Sequence, residues 1–299
     1  MNRKGNPRVK AFTYFIYIFL TSISILCVLP VVNLISLSFS STYAVSSGSV
    51  FFLPIDFNIH AYEFVLKSGK FLTAFLVSCR RVAVGVAVNM FLTILVAYPL
   101  SKEKKDLRSR SVYAWFFILT TLFSAGLIPW YMTIKYAGLL DSFWALILPA
   151  AVPVFNVIVL LNFFRGLPKE LEESAFLDGA GQWTTLWKIY IPLSKPALAT
   201  LTLYCTVHHW NSWFDGLILM NDPIRYPLQS YLQTVIINPE TFFSSTAGQG
   251  GDYNVLINFV SARTAKTAQI FIAALPMLMV YPFLQKYFTK GLVLGSVKG

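Results

Sequence analysis

Six stretches of this chain are apolar for long enough to cross a bilayer, and that constrains its fold more than any other feature. They cover roughly 12–36, 76–99, 112–134, 142–164, 197–220 and 268–288, against the ~20 residues a spanning helix needs. Of the 299 residues, 56% are apolar and only 12% charged, whereas a soluble domain carries about 25% charged residues. A soluble chain of this size could bury a core, but it could not clothe its surface with so few charges. The remaining solvent is lipid, which offers backbone groups no partner and so forces helices. The expected fold class is an all-α integral membrane protein with six transmembrane helices. Pro153, Pro276 and Pro282 fall inside spans, where kinks are tolerated.

Arg3, Lys4, Arg8 and Lys10 precede the first apolar stretch, as in a secretory signal. A signal's apolar region runs only about 7–15 residues. This one continues to about Ser38, so an uncleaved first helix is expected rather than cleavage near Ser41–Ala44. Cys27, Cys79 and Cys205 each lie in apolar runs. They read as small packing residues, with no disulfide or metal-ligand spacing.

With the N-terminus in the cytoplasm, Lys and Arg number four in the first tail, five between Lys102 and Arg110, four between Arg165 and Lys195, and three from Lys286 onward. These are sixteen of the 24 basic residues, set against six acidic ones; the other side holds eight basic and seven acidic. The positive-inside rule then puts both termini in the cytoplasm. The net charge of +11 is accounted for by membrane-flanking loops, with no nucleic-acid partner implied. On the outside, 221–266 reads as a structured loop with a short helix near Pro227–Val235 and a Gly/Ser-rich tip at Ser244–Gly251.

The inner segment 166–195 is too polar to span. Pro168 suits the first turn of a helix, and Glu170, Glu172 and Glu173 sit where the helix dipole favours negative charge. Gly179 and Gly181 end that helix, and a second one through Trp183–Tyr190 stops at Pro192. Ala175 and Gly179, four apart, make a small-residue patch open to close backbone packing.

The order Glu173-Ser174-Ala175, three residues, Gly179, nine residues, Ile189, one residue, Ile191-Pro192 resembles the EAA loop of ABC importer permeases. That pattern is Glu-Ala-Ala, three residues, Gly, nine residues, Ile-x-Leu-Pro, and only Ser174 and Ile191 depart from it. Residues 72–285 resemble the five-helix core of type I permeases. Residues 1–71, with the first helix, stand before the core, and 286–299 form a cytoplasmic tail after it. Leu122–Trp130, Trp210–Asp215 and Gly291–Gly299 are similar to segments of the carbohydrate-uptake branch, in particular the smaller permease of maltose-type and polysaccharide-derived oligosaccharide importers.

This resemblance implies a role for the loop: Glu173, Ser174, Ala175, Asp178, Gly179, Ile189 and Pro192 would couple the chain to a cytoplasmic ATPase dimer. It also implies a homologous second permease and an external solute-binding protein as partners, and a tail, 291–299, that reaches between the ATPase subunits. The sequence has no G-x-x-x-x-G-K-[ST] phosphate loop. The chain is therefore expected to be no enzyme and to bind no cofactor, with ATP and Mg used by the partner.

The expected substrate path is the polar run of the fifth span, where Trp210, Asn211, Trp213 and Asp215 offer stacking faces and hydroxyl partners; anchoring and packing are the alternative. Arg80 and Arg81 would either attract an acidic sugar or reach to the interface. His208 and His209 lack a neighbouring metal or acidic partner in sequence. A secondary transporter would show inverted repeats and midplane charges, which are not visible. A same-fold permease for peptides or amino acids is the stronger rival.

Overall fold

The computed structural model describes residues 7–123, 125–237 and 259–296, and among these it is helical with no strand. The chain divides into two compact units, Met1–Phe71 with Thr234–Ala274, and Leu72–Gln233 with Leu275–Gly299.

In the first unit, α1 (Pro7–Ser38) carries the first apolar stretch. Every large apolar side chain on it from Phe12 to Leu26 is exposed. Such an all-round apolar helix suits lipid or another membrane helix. Its C-terminal end is stapled by side chains that bond the following loop. Asn33 Nδ2 donates to Phe51 O (2.6 Å), Ser36 Oγ to Phe52 O (2.7 Å), and the Ser38 hydroxyl meets Tyr62 Oη at 2.7 Å. Two short helices follow, α2 (Thr42–Ser46) and α3 (His60–Lys67).

The second unit is built on α4 (Gly69–Ser101), a single helix of 33 residues. It passes on to α5 (Arg110–Leu122) and α6 (Leu127–Tyr136), then two 3₁₀ turns, Phe143–Leu146 and Leu148–Ala150, and α7 (Val154–Arg165). The polar loop folds as α8 (Lys169–Leu177), α9 (Gln182–Thr185), a π turn (Leu186–Tyr190) and α10 (Ile191–Leu193). Then come α11 (Lys195–Asn211), α12 (Phe214–Leu219), α13 (Leu228–Ile237), whose last residues are counted in the first unit, and α14 (Ala262–Ser296), which belongs to the second unit from Leu275. Ala97 and Leu100 of α4 pack with Leu160 and Phe164 of α7 and Leu201 of α11 in one apolar core.

Three expected spans are broken. Among the described residues, Phe12–Ser38 and Gly69–Ser101 are each long and apolar enough to cross a membrane, and two bent helix pairs bring the number to at most four. In place of 112–134 stand α5 and α6, separated at Gly126, whose φ of 82° no ordinary helical residue adopts. In place of 142–164, the 3₁₀ turns meet α7 at a 48° bend. Pro149 and Pro153 remove amide donors there. In place of 197–220, α11 and α12 flank the break at Ser212–Trp213. The last expected span lies within α14, which continues through 286–296 of the expected tail. Residues 297–299 and the Ser244–Gly251 tip lie outside the described residues.

The π turn corrects a second expectation, since the chain does not stop at Pro192. Ile191 N–H bonds Leu186 O, and this wider turn admits a residue with no amide hydrogen just beyond it. The short helix near Pro227–Val235 is present as α13.

Packing is close where α11 crosses α4. A β-carbon added at Gly85 would lie 2.5–2.8 Å from three ring atoms of His209, so only glycine fits. Gly85→Ala should lower the thermal midpoint of the solubilised protein, an overpacking cost of about 1–3 kcal/mol. In a His209→Ala background the same substitution should cost almost nothing, and a double-mutant cycle on melting curves checks this.

Candidate functional site

Two of the three breaks gather on one face of α4. Ser78, Arg81, Gly85 and Asn89 stand three and then four residues apart, a stripe along that helix. Ser78 Oγ accepts from Leu228 N at 2.7 Å, at the start of α13. The Arg81 guanidinium pairs with both carboxylate oxygens of Asp215 and also reaches Ser212 O. Asn89 Nδ2 donates to Ala150 O (2.6 Å) and Ala151 O (2.9 Å), and its Oδ1 lies 2.5 Å from His209 Nε2. The free carbonyls of two broken spans thus find partners on one continuous helix.

Arg81 is 1% exposed, and neither expected role describes it: it is buried and paired, reaching no interface. Arg80 lies over the Phe143 ring, 4.2 Å from its centroid. Asp215 is fixed two more ways besides Arg81, accepting from Ser212 Oγ (2.9 Å) and Gly216 N (2.9 Å). The ion pair is internally neutral.

This pair forms part of the wall of a cavity of about 840 Å³, with Trp130, Thr133, His208 and Ser212 among its other lining residues. A second cavity of about 370 Å³, lined by Asn89, Asn156, Tyr204 and Cys205, shares His208 and Ala150 with it. Of the expected path residues, only Asp215 lines either one. Trp210 is buried, edge-on to Phe75 at 5.8 Å. Asn211 and Trp213 are exposed but line neither cavity. Sequence reading named Arg81 and His208 separately but missed Asn89 and the pairing of Arg81 with Asp215. One signal was available: an Arg and an Asp in two different apolar windows are each costly alone and cheaper as a pair.

The polar loop forms the second candidate site. Gly179, at φ 80°, ends α8 in the left-handed region that favours glycine. Ala175 is buried by its own chain, so it forms no open patch with Gly179. The surface is apolar instead: Leu171, Phe176, Leu177, Trp183 and Trp187 are exposed, Leu177 at 90%. Glu173, Ser174 and Asp178 are exposed on the same turn, while Ile189 and Pro192 stand in and after the π turn.

Behind this surface α8 is tied to the residues that follow α4. Lys102 Nζ lies 2.5 Å from Glu172 Oε1, and Tyr190 Oη donates to Glu172 Oε2 at 2.6 Å. The ammonium sits 4.1 and 4.5 Å from the Tyr98 and Tyr190 ring centroids. Burial lowers the Lys102 pKa, and the Glu172 carboxylate opposes that fall. Burial first, then Glu172, pushes the Tyr190 phenol up. A further pair, Lys169–Glu103, is exposed; each partner favours the other's charged form, Lys169 shifting up and Glu103 down.

Broken apolar helices around a lined cavity, with a helical loop outside the span, define a membrane transport subunit. The chain belongs to the family of binding-protein-dependent transport system inner membrane components, whose profile matches residues 1–293. It is 39% identical over 292 residues to the polygalacturonan/rhamnogalacturonan transport system permease protein YtcP of Bacillus subtilis, covering 97% of this chain and 99% of that one. It is 41% identical over 283 residues to Protein LplC of the same organism, covering 94% and 93%. Its fold is similar to a chain in the crystal structure of a bacterial ABC transporter involved in the import of the acidic polysaccharide alginate. That likeness has a TM-score of 0.86 and 32% identity, covering 95% of this chain and 99% of that one. The chain is a membrane-embedded permease of the type I fold.

The ion pair gives a direct test. Arg81→Met strands a carboxylate and should destabilise the protein by about 3–5 kcal/mol. The double variant Arg81→Met with Asp215→Leu should recover most of that loss, as read from thermal melting in detergent.

Proposed function

We propose that this chain forms half of the translocation path of an ATP-driven importer for oligosaccharides, coupled to a separate cytoplasmic ATPase dimer through 166–195. The observation that carries the reading is the apolar surface on α8 and α9, outside the apolar spans and uncovered by the described residues. A polar loop has no reason to expose Leu177 and Trp183 to water unless another protein covers them. The basic residues support placing that loop and both termini in the cytoplasm. A second, homologous permease completes the pore, and an external solute-binding protein delivers the substrate. ATP and Mg belong to the ATPase, whose closure shifts α8 and turns the cavity outward.

Trp130, Thr133, His208 and Ser212 suit a hydroxyl-rich ligand, with an aromatic face for a sugar ring and polar groups for its hydroxyls. Arg81 contributes no net positive charge, being neutralised by Asp215. An acidic sugar is instead suggested by the substrates in the names of the relatives, polygalacturonan and alginate. In proteoliposomes holding the full complex, galacturonate oligosaccharides should be taken up in an ATP-dependent way and peptides of similar size should not. Uptake of peptides alone would overturn the sugar assignment and leave the importer standing.

Gly179 separates docking from backbone strain. Open space surrounds a β-carbon at this position, so within the chain Ala and Trp carry the same left-handed strain, about 1–2 kcal/mol. A docked ATPase distinguishes them. Gly179→Ala should keep most uptake at wild-type expression, whereas Gly179→Trp should abolish it. Equal uptake by the two variants would remove close docking from the proposal.

A further inference from the structure

The two ion pairs of α8 among the described residues, Lys102–Glu172 and Lys169–Glu103, both run to the two residues immediately after α4. The two differ in strength. Lys169 and Glu103 are exposed, and such pairs contribute little. Lys102 and Glu172 have side chains 10% and 17% exposed, and two tyrosine rings and the Tyr190 hydroxyl surround them. Removing one partner there leaves a largely desolvated charge.

From Lys102, just past the end of α4, the helix runs back through Pro99, which removes one ladder hydrogen bond near that end, and continues to Arg81, about 30 Å away at 1.5 Å per residue. There it holds Asp215 in the cavity wall. Four residues beyond Gly85, Asn89 grips the carbonyls ahead of α7. This helix is thus joined at one end to the loop surface and along its length to two of the three broken spans. This is a contiguous set of ion pairs, hydrogen bonds and one rigid element, the physical form that coupling requires.

We infer that Lys102 and Glu172 are positioning residues that transmit displacement of α8 to α4, and through α4 to the cavity wall at Arg81–Asp215. The inference rests on the importer reading and adds the route by which ATPase movement reaches the path. Tyr190 belongs to the same link, because the π turn presents its hydroxyl to Glu172.

The test uses the full complex with its ATPase, second permease and binding protein in proteoliposomes, measuring ATP hydrolysis and galacturonate oligosaccharide uptake together. Lys102→Met should assemble and hydrolyse ATP, but the sugar moved per ATP should fall about tenfold, within the usual range of coupling terms. Lys102→Arg keeps charge and ring contact and should retain the wild-type ratio. Should Lys102→Met fail to assemble, Glu172→Gln decides, since it preserves shape and the Tyr190 bond while removing the charge pair. A variant that loses hydrolysis and uptake in proportion, or keeps the wild-type ratio, overturns the inference and leaves the importer intact. A wild-type complex that hydrolyses ATP and moves neither sugar nor peptide overturns the importer reading, and the inference with it.

Discussion

A backbone carbonyl without a partner costs several kcal/mol in hydrocarbon, and the second unit is organised around that penalty. Breaking a span frees carbonyls and amides at membrane depth, where non-helical backbone survives only if protein or a water-filled cavity satisfies it. The breaks at Ala150–Pro153 and Ser212–Trp213 meet this condition through α4. Asn89 takes two carbonyls, Arg81 a third, and Ser78 accepts the amide of Leu228. One unbroken helix is what permits its neighbours to be broken. Those breaks in turn open the cavity wall, which a bundle of straight apolar helices would close.

Ionic groups in that wall follow the same logic. A lone guanidinium here would be expensive, and a lone carboxylate equally so, but each removes the other's need for water. The extra bonds from Ser212 Oγ and Gly216 N both go to Oδ1, which leaves Oδ2 with Arg81 as its one partner among these. The result is a wall with hydrogen-bonding groups and no net charge from this pair. Such a surface can exchange partners with hydroxyls without holding an anion tightly.

Much of the fold was legible because hydropathy reports it directly: α1, α4 and α14 stand where long apolar windows predict helices. The breaks were harder to read. Pro149, Pro153 and Gly126 mark weak points, but the interruption at Ser212–Trp213 has neither Gly nor Pro. It depends on Asp215 being drawn to Arg81, a contact across 134 residues of sequence. The loop's glycine was legible for a sound reason, since left-handed backbone at Gly179 needs that residue type. Its neighbour Ala175 was not, because burial by α8's own surroundings is a tertiary fact. Trp210 misled for the opposite reason: indole is as good at packing on Phe75 as at stacking on a sugar, and spacing cannot distinguish the two.

The fastenings of α4 are graded along its length, and the gradient agrees with a moving part at one end. Around Arg81, Gly85 and Asn89 the contacts are buried, closely packed and multiply bonded, so a change there meets a cost of several kcal/mol. At Glu103–Lys169 the pair is exposed and screened by solvent, so it adds little. Lys102–Glu172 lies between these extremes, largely buried but at the edge of the helix. If every contact were as tight as Asn89's, the loop could not shift relative to the cavity. If every contact were as loose as Glu103's, its displacement would be lost in solvent. A link of intermediate strength, placed where the rigid helix meets the loop, satisfies both requirements.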